Sequence, residues 1–374
     1  MRLSELSFPA RRLALIGLAK NTGKTVALTT LLGELEQQGR TVGVTSVGRD
    51  GEEHDVIDAR IEKPRVALAA GSLLATTDEL LRASGLPYEL LSETESRTPL
   101  GRVLVVRLEG AGIVEVAGPS AAQQVRAVSE LMLHHDADQV LIDGAIDRRA
   151  ASAPEVCDGL VMATGAVLGS EIEEIVTRTA EAVELARLPL LDGDDGVAAR
   201  TRELAEGHGG HLSALVAGDG SVQELPPRFA LRADGAALAE LLPVHAAGSH
   251  LLVGGAVPES LLEALVELHR RGRELPVVVV GDPTRVFLSS HGVGWYRRQE
   301  IELRATRSAP LLALTVNPVA PRSHSFDSRE LRGRLDHALE DLPILDVCAP
   351  EYPGPDIEPS PDGTSGSPDG ASAP

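Results

Sequence analysis

Gly17-Leu18-Ala19-Lys20-Asn21-Thr22-Gly23-Lys24-Thr25 joins an apolar run, Leu13-Ala14-Leu15-Ile16, to a segment of helical periodicity closed by Gly39. A strand, a glycine-rich turn and a helix start gather successive backbone N–H groups around one point, where the helix N-terminus adds its positive end. In that setting a lysine neutralises phosphate oxygens and a Ser/Thr hydroxyl reaches a magnesium ion. The spacing predicts a P-loop in which Gly17, Asn21, Thr22, Gly23, Lys24, Thr25 and Val26 surround the phosphates of a nucleotide; ATP is the expected one, although the spacing does not choose between ATP and GTP. Lys24 is the catalytic cation and Thr25 a ligand of Mg2+. The chain has only three lysines, Lys20, Lys24 and Lys63, and two lie in this loop, so a chance Gly-Lys pair is the weaker explanation. One departure stands out: the usual G-x-x-x-x-G-K-[ST] spacing would place its first glycine at Leu18, and Gly17 lies one residue early.

Outward from the loop, short apolar runs alternate with longer helical stretches, the pattern of α/β domains with parallel sheets. Strands are expected at 13–17, 41–47, 139–143 and 159–163, with helices at 24–38, 120–134 and 170–186. Between 64 and 118 the pattern changes to short strands at 66–70, 102–108 and 112–116 with one helix near 77–84, read as a β-rich insertion covering one end of the sheet. A second α/β set follows, with strands at 251–254, 277–280 and 311–316 and helices at 259–271 and 328–340. The expectation is a doubly wound, mostly parallel α/β P-loop NTPase domain over 1–190 and a smaller α/β domain over 191–348. The acidic Pro/Gly/Ser-rich tail, 349–374, lacks the apolar content to fold.

Val140-Leu141-Ile142-Asp143-Gly144 is an apolar strand ending in an acid, which makes Asp143 the candidate to order the Mg2+ shell. The loop from Gly48 to Asp55 follows the second strand. There Asp50 or Asp55 is a candidate to hold a magnesium-bound water or activate the attacking one, and a resemblance to dethiobiotin synthetase-like proteins, which carry a basic residue near the phosphates at this point, implies a phosphate contact for Arg49. A solvated acidic face explains this loop equally well, and the sequence does not choose between the two aspartates. Arg148 and Arg149 read as solvated loop charges.

Composition narrows the field. The formal charge of −20 and an aromatic content of 2% argue against nucleic-acid and anionic-membrane surfaces, which reward clustered cations and stacking rings. Cys157 and Cys348 form no C-x-x-C pair, and no 18-residue uncharged apolar run or leader pattern is readable, so a reducing, cytoplasmic setting is expected. His134-His135-Asp136 and His208-Gly209-Gly210-His211 lack companions at ligand spacing and are not read as metal sites. Trp295-Tyr296 is read as core or interface, and Cys157 as buried.

The loop spacing resembles that of dethiobiotin synthetase and other members of the SIMIBI class of NTPases. Longer phrases resemble one family more closely: the P-loop subunit of lysine 5,6-aminomutase reactivase, found with cobalamin-dependent aminomutases. They are Gly17 to Thr25, Thr45-Ser46-Val47-Gly48-Arg49-Asp50-Gly51-Glu52, Thr98-Pro99-Leu100-Gly101, Glu115-Val116-Ala117-Gly118-Pro119-Ser120, Ile142-Asp143-Gly144-Ala145, Asp282-Pro283-Thr284-Arg285 and Val316-Asn317-Pro318. The resemblance implies an ATPase that helps expel damaged cobalamin from an inactivated mutase, with a MutS-like partner subunit and an aminomutase client. The SIMIBI likeness implies a switch that forms homodimers across the nucleotide. The chain itself has no D-x-H-x-x-G stretch for base-off cobalamin. The rival expectations are an ATP-dependent ligase of the dethiobiotin synthetase type and a non-hydrolysing nucleotide-binding module.

Overall fold

The computed structural model describes residues 1–48, 65–145, 149–193, 196–208, 210–242, 246–321 and 323–353. A short helix α1 (Leu3–Ser7) precedes strand β1 (Arg12–Gly17), and helix α2 (Lys24–Gln37) leads to β2 (Val42–Ser46). Then come β3 (Arg65–Leu68), β4 (Leu73–Thr77), α3 (Asp78–Ser84), β5 (Tyr88–Thr98), β6 (Gly101–Leu108) and β7 (Gly112–Glu115). Helix α4 (Ala122–His134), β8 (Gln139–Ala145), β9 (Gly159–Gly165) and α5 (Ile172–Ala186) complete the first half.

The second half opens with α6 (Gly196–Gly207), β10 (Ala214–Val216), β11 (Val222–Glu224), α7 (Phe229–Arg232) and α8 (Gly235–Leu241). It continues through β12 (His250–Val253), β13 (Val257–Pro258), α9 (Glu259–Arg270), β14 (Val277–Val280) and β15 (Val286–Phe287). Helix α10 (Val293–Arg298), β16 (Leu303–Ala305), β17 (Leu311–Asn317), α11 (Ser328–Ala338) and β18 (Ile344–Leu345) finish the described chain.

Nine strands form one sheet in the order β18-β17-β9-β1-β8-β2-β4-β6-β5. Every pairing from β18 across to β4 is parallel, while β6 and β5 run antiparallel at one edge. Strand β1 is buried on both faces, which is why it reads as a continuous apolar run rather than an alternating one. On one face Leu13, Leu15, Val44 and Leu141 pack against Leu28, Leu31 and Leu35 of α2. On the other, Ala14, Ile16, Val140 and Ile142 share a core with Val128 of α4, Ile175 of α5 and Leu331 of α11. The helices therefore cover both faces of a mostly parallel sheet, as expected for the α/β class.

Two expectations about organisation are corrected. Strand β17, the predicted strand 311–316, does not belong to the second domain. It pairs with β9 in the nine-stranded sheet and carries β18 on its outer side. The second unit is thus an insertion between α5 and β17, with its own sheet ordered β11-β10-β12-β14-β16. Its core holds Leu251, Leu265, Val280 and Tyr296. Its two ends meet, since Leu190 bridges Ala305 and the Leu191 amide donates to the Ala305 carbonyl at 2.8 Å. The physical reason for the misplacement is plain: an all-apolar run fits any doubly covered parallel strand, and its pattern does not say which sheet it joins.

The second correction concerns 64–118. Strands β4, β6 and β5 widen the main sheet instead of covering its end, and only β3 and β7 form a separate two-stranded sheet. Strand β5 was missed because it is an edge strand carrying Glu89, Glu93, Glu95 and Arg97 with two irregularities in its register, features that discourage further pairing.

The first and last stretches of the described residues are pinned to α2. Glu34, fully buried, accepts hydrogen bonds from the Ser4 amide at 2.8 Å and the Tyr352 hydroxyl at 2.6 Å, and that hydroxyl accepts the Leu3 amide at 2.8 Å. Tyr352→Phe deprives a buried carboxylate of a donor. It is expected to lower the unfolding free energy by about 1.5–3 kcal/mol, measured by chemical denaturation. No helix among the described residues is long and apolar enough to cross a membrane.

Candidate functional site

In open α/β sheets, ligands settle outside the carboxyl ends of the strands where successive connections leave in opposite directions. That point lies here between β1 and β8. Helix α2 leaves β1 across one face, and the residues after β8 return across the other, where Ala151, Ala153 and Val156 are buried.

The loop after β1 is built from close contacts. The Leu18 amide donates to the Ala163 carbonyl at 2.9 Å, carrying the β1–β9 ladder one residue further, and the Leu18 side chain is buried. Thr22 is also buried, and its hydroxyl donates to the Ala19 carbonyl at 3.0 Å, so its proton is already committed within the loop. A Cβ at Gly17 would lie 2.7 Å from the Thr22 hydroxyl oxygen. This accounts for the shifted glycine: position 17 must stay bare to seat Thr22, whereas position 18 can carry a side chain into the core. Asn21 (φ 67°) and Gly23 (φ 86°) are both left-handed, a conformation that costs a non-glycine residue such as Asn21 free energy.

Lys24 opens α2, and its Nζ forms an ion pair with Oδ1 of Asp143 from the neighbouring strand β8. The two side chains are 21% and 14% exposed, so the pair sits at a wetted rim rather than in the core. Asp143 also anchors the end of β2, since its carbonyl accepts the Val47 amide at 3.0 Å. Thr25 and Val26 are exposed on the first turn of α2. The structure thus brings Gly17, Asn21, Thr22, Gly23, Lys24, Thr25, Val26 and Asp143 to one end of the sheet. Arg49, Asp50 and Asp55 lie outside the described residues, as does Arg148.

The root of the 49–55 loop is described and firmly held. The Gly48 amide donates to the Pro119 carbonyl at 2.8 Å, and the Ser46 hydroxyl accepts the Gly118 amide at 3.0 Å. A Cβ at Gly118 would lie 2.0 Å from the Ser46 carbonyl oxygen and 2.6 Å from the Thr45 hydroxyl. Gly118→Ala must push one backbone off another. A loss of about 1–3 kcal/mol is expected in thermal or denaturant unfolding.

Asn317, at the end of β17, is a contact that sequence reasoning left without a role. Its side-chain amide donates to the Asn21 carbonyl at 3.0 Å and its Oδ1 accepts the Val319 amide at 3.1 Å. The signal was an isolated Asn-Pro far down the chain, which gains meaning only when β17 is placed beside β9.

Among the described residues no group of three His, Cys, Asp or Glu side chains is placed to hold a metal. His135 faces the Ser92 hydroxyl at 3.3 Å and His208 the Leu204 carbonyl at 3.2 Å. Burial pushes the Cys157 thiol up to about 12, leaving it protonated and unreactive at neutral pH. Tyr296 is buried, and Trp295 stacks on His291 with ring centres 3.9 Å apart. A hollow of about 300 Å³ beside Arg40 and Arg107 lies at the far end of α2 and shares no residue with the loop.

No protein-family model matches the chain, and no curated protein matches it either. The fold and the site define a mixed α/β protein with a strand–loop–helix element at the switch point of its main sheet.

Proposed function

We propose that the chain is a P-loop NTPase that binds ATP with Mg2+ at residues 17–26 and hydrolyses it. The observation carrying this reading is the Lys24–Asp143 pair at the carboxyl ends of adjacent strands. A cation for phosphate and an acid for a metal shell are already in contact at the start of a helix whose first amides lack intrahelical partners. Lys24 and the amides of Gly23 to Thr25 would hold the phosphates. The Thr25 hydroxyl and the Asp143 carboxylate form an all-oxygen donor set, which suits Mg2+. The bound metal would neutralise phosphate charge as it builds during transfer. Asp50 or Asp55 would act as the switch acid, with Arg49 beside the phosphates.

The biological role we propose is that of a reactivating chaperone for a cobalamin-dependent aminomutase, with a MutS-like partner. It rests on the sequence phrases alone. The test of the NTPase reading is turnover and binding of ATP and GTP with Mg2+, wild type against Lys24→Ala. Turnover that depends on Lys24 supports it. Turnover appearing only with an added carboxylate or amine substrate would favour the ligase, and binding without turnover the non-hydrolysing module. If neither nucleotide binds, the reading fails.

A further inference from the structure

The geometry points to Asn317 as a positioning residue that sets the apex of the loop for phosphate. This inference rests on the nucleotide-binding reading and names a further residue for it. Asn317 pairs with Gly165 at the end of the β17–β9 ladder, and a Cβ on Gly165 would lie 2.3 Å from the Asn317 carbonyl oxygen. The backbone of Asn317 is therefore held against β9 with no room to slide. Its side-chain amide is oriented from both ends, because Oδ1 accepts the Val319 amide and this leaves Nδ2 to donate to the Asn21 carbonyl. On the loop side, a Cβ at Gly23 would stand 3.0 Å from the Asn317 Cβ.

Asn317 thus touches both left-handed residues of the loop, bonding one and crowding the other. Asn21 pays for its φ of 67° unless something fixes it there. Among the described residues its carbonyl accepts the Asn317 amide, and Asn21 and Gly23 flank the turn whose N–H groups would face a bound phosphate. Losing the amide lets the apex relax toward ordinary backbone angles and scatters those donors. The effect falls on phosphate and is indifferent to the base.

That indifference makes the inference testable. The measurement is calorimetric binding of Mg-ATP and of Mg-tripolyphosphate, which has no base, to wild type, Lys24→Ala, Asn317→Ala and the double variant Asn21→Gly/Asn317→Ala. Asn317→Ala keeps the Cβ that packs on Gly23 and removes only the amide. It is expected to weaken both ligands about tenfold and to the same degree. Glycine adopts positive φ without penalty, so Asn21→Gly is expected to recover most of the loss. A fall for ATP alone would make Asn317 a base contact and overturn the inference, as would no change for either ligand or no recovery by Asn21→Gly. Should Asn317→Ala fail to fold, Asn317→Leu keeps the shape without the donor and is read the same way. Wild type that binds neither ligand, or binding unaffected by Lys24→Ala, would sink the P-loop reading itself. Loss confined to the Asn317 comparison leaves that reading standing.

Discussion

Truncation after Pro310 is expected to abolish the fold, whereas replacing residues 192–304 with a short Gly/Ser linker is expected to leave a folded protein that still binds nucleotide. The truncation strips β17 and β18, the two outermost strands on one side of the main sheet, and with them α11 and the Tyr352 anchor. Ala313, Leu314, Leu331 and Leu335 are all fully buried, and Val316 nearly so. At about 1.5–3 kcal/mol for each large apolar side chain, their loss together approaches the whole stability of a typical domain, about 5–15 kcal/mol. The exposed edge of β9, Leu160 to Ala163, would also invite aggregation.

The excision costs far less. Its ends already meet through the Leu190–Ala305 bridge and the reciprocal bond from the Ala305 amide to the Pro189 carbonyl at 2.9 Å. The α5 face it uncovers includes Glu184, whose carboxylate accepts the Gly294 amide at 3.0 Å and can return to water. Leu185, Leu188 and Ala305 lose apolar cover from one core of the inserted unit, and Leu191 from its smaller one. Circular dichroism and thermal melting of the two variants decide the matter. A well-folded truncation, or an excision that unfolds while the linker is long enough, would refute the insertion topology.

The second large effect is expected at the ion pair. Lys24→Ala should weaken nucleotide binding by about 100-fold or more, because a charge-assisted contact to phosphate is lost and the Asp143 carboxylate is left facing the incoming anion. Asp143→Asn acts in the opposite sense without metal. It releases Lys24 from its partner, so affinity for ATP in a chelator should rise a few-fold, while the gain that Mg2+ brings should vanish. Because both side chains are partly exposed, neither change should move the melting temperature much. Equal affinities across the three proteins, with and without Mg2+, would count against Lys24 and Asp143 as a nucleotide site.

How much of this was legible in the sequence differs from element to element. The run ending at Gly17 and the glycine-lysine turn gave strand, loop and helix start because each has its own local cause: double burial, left-handed φ and a helix opening at Lys24. Asp143 was legible for the same reason, at the end of an apolar strand. Strand β5 was not, since an edge strand carrying Glu89, Glu93, Glu95 and Arg97 has no apolar period. The partner of β17 was not, since pairing across more than a hundred residues leaves no local trace. Asn317 followed it into obscurity: a half-buried asparagine acquires a role only through the strand that carries it to Asn21.

The insertion also has a consequence in time. A ribosome delivers β9 and then the whole inserted unit before it reaches β17, the strand that completes the sheet beside β9. At about 5–20 residues per second, the roughly 120 residues between α5 and β17 keep that edge open for about 6–24 s. The inserted unit has its own sheet and core, so it can close first. Leu160 to Ala163 wait meanwhile for a neighbour not yet made. The half that carries the glycine-lysine loop is started first and finished last, and any holdase that shields nascent chains would find its longest engagement there.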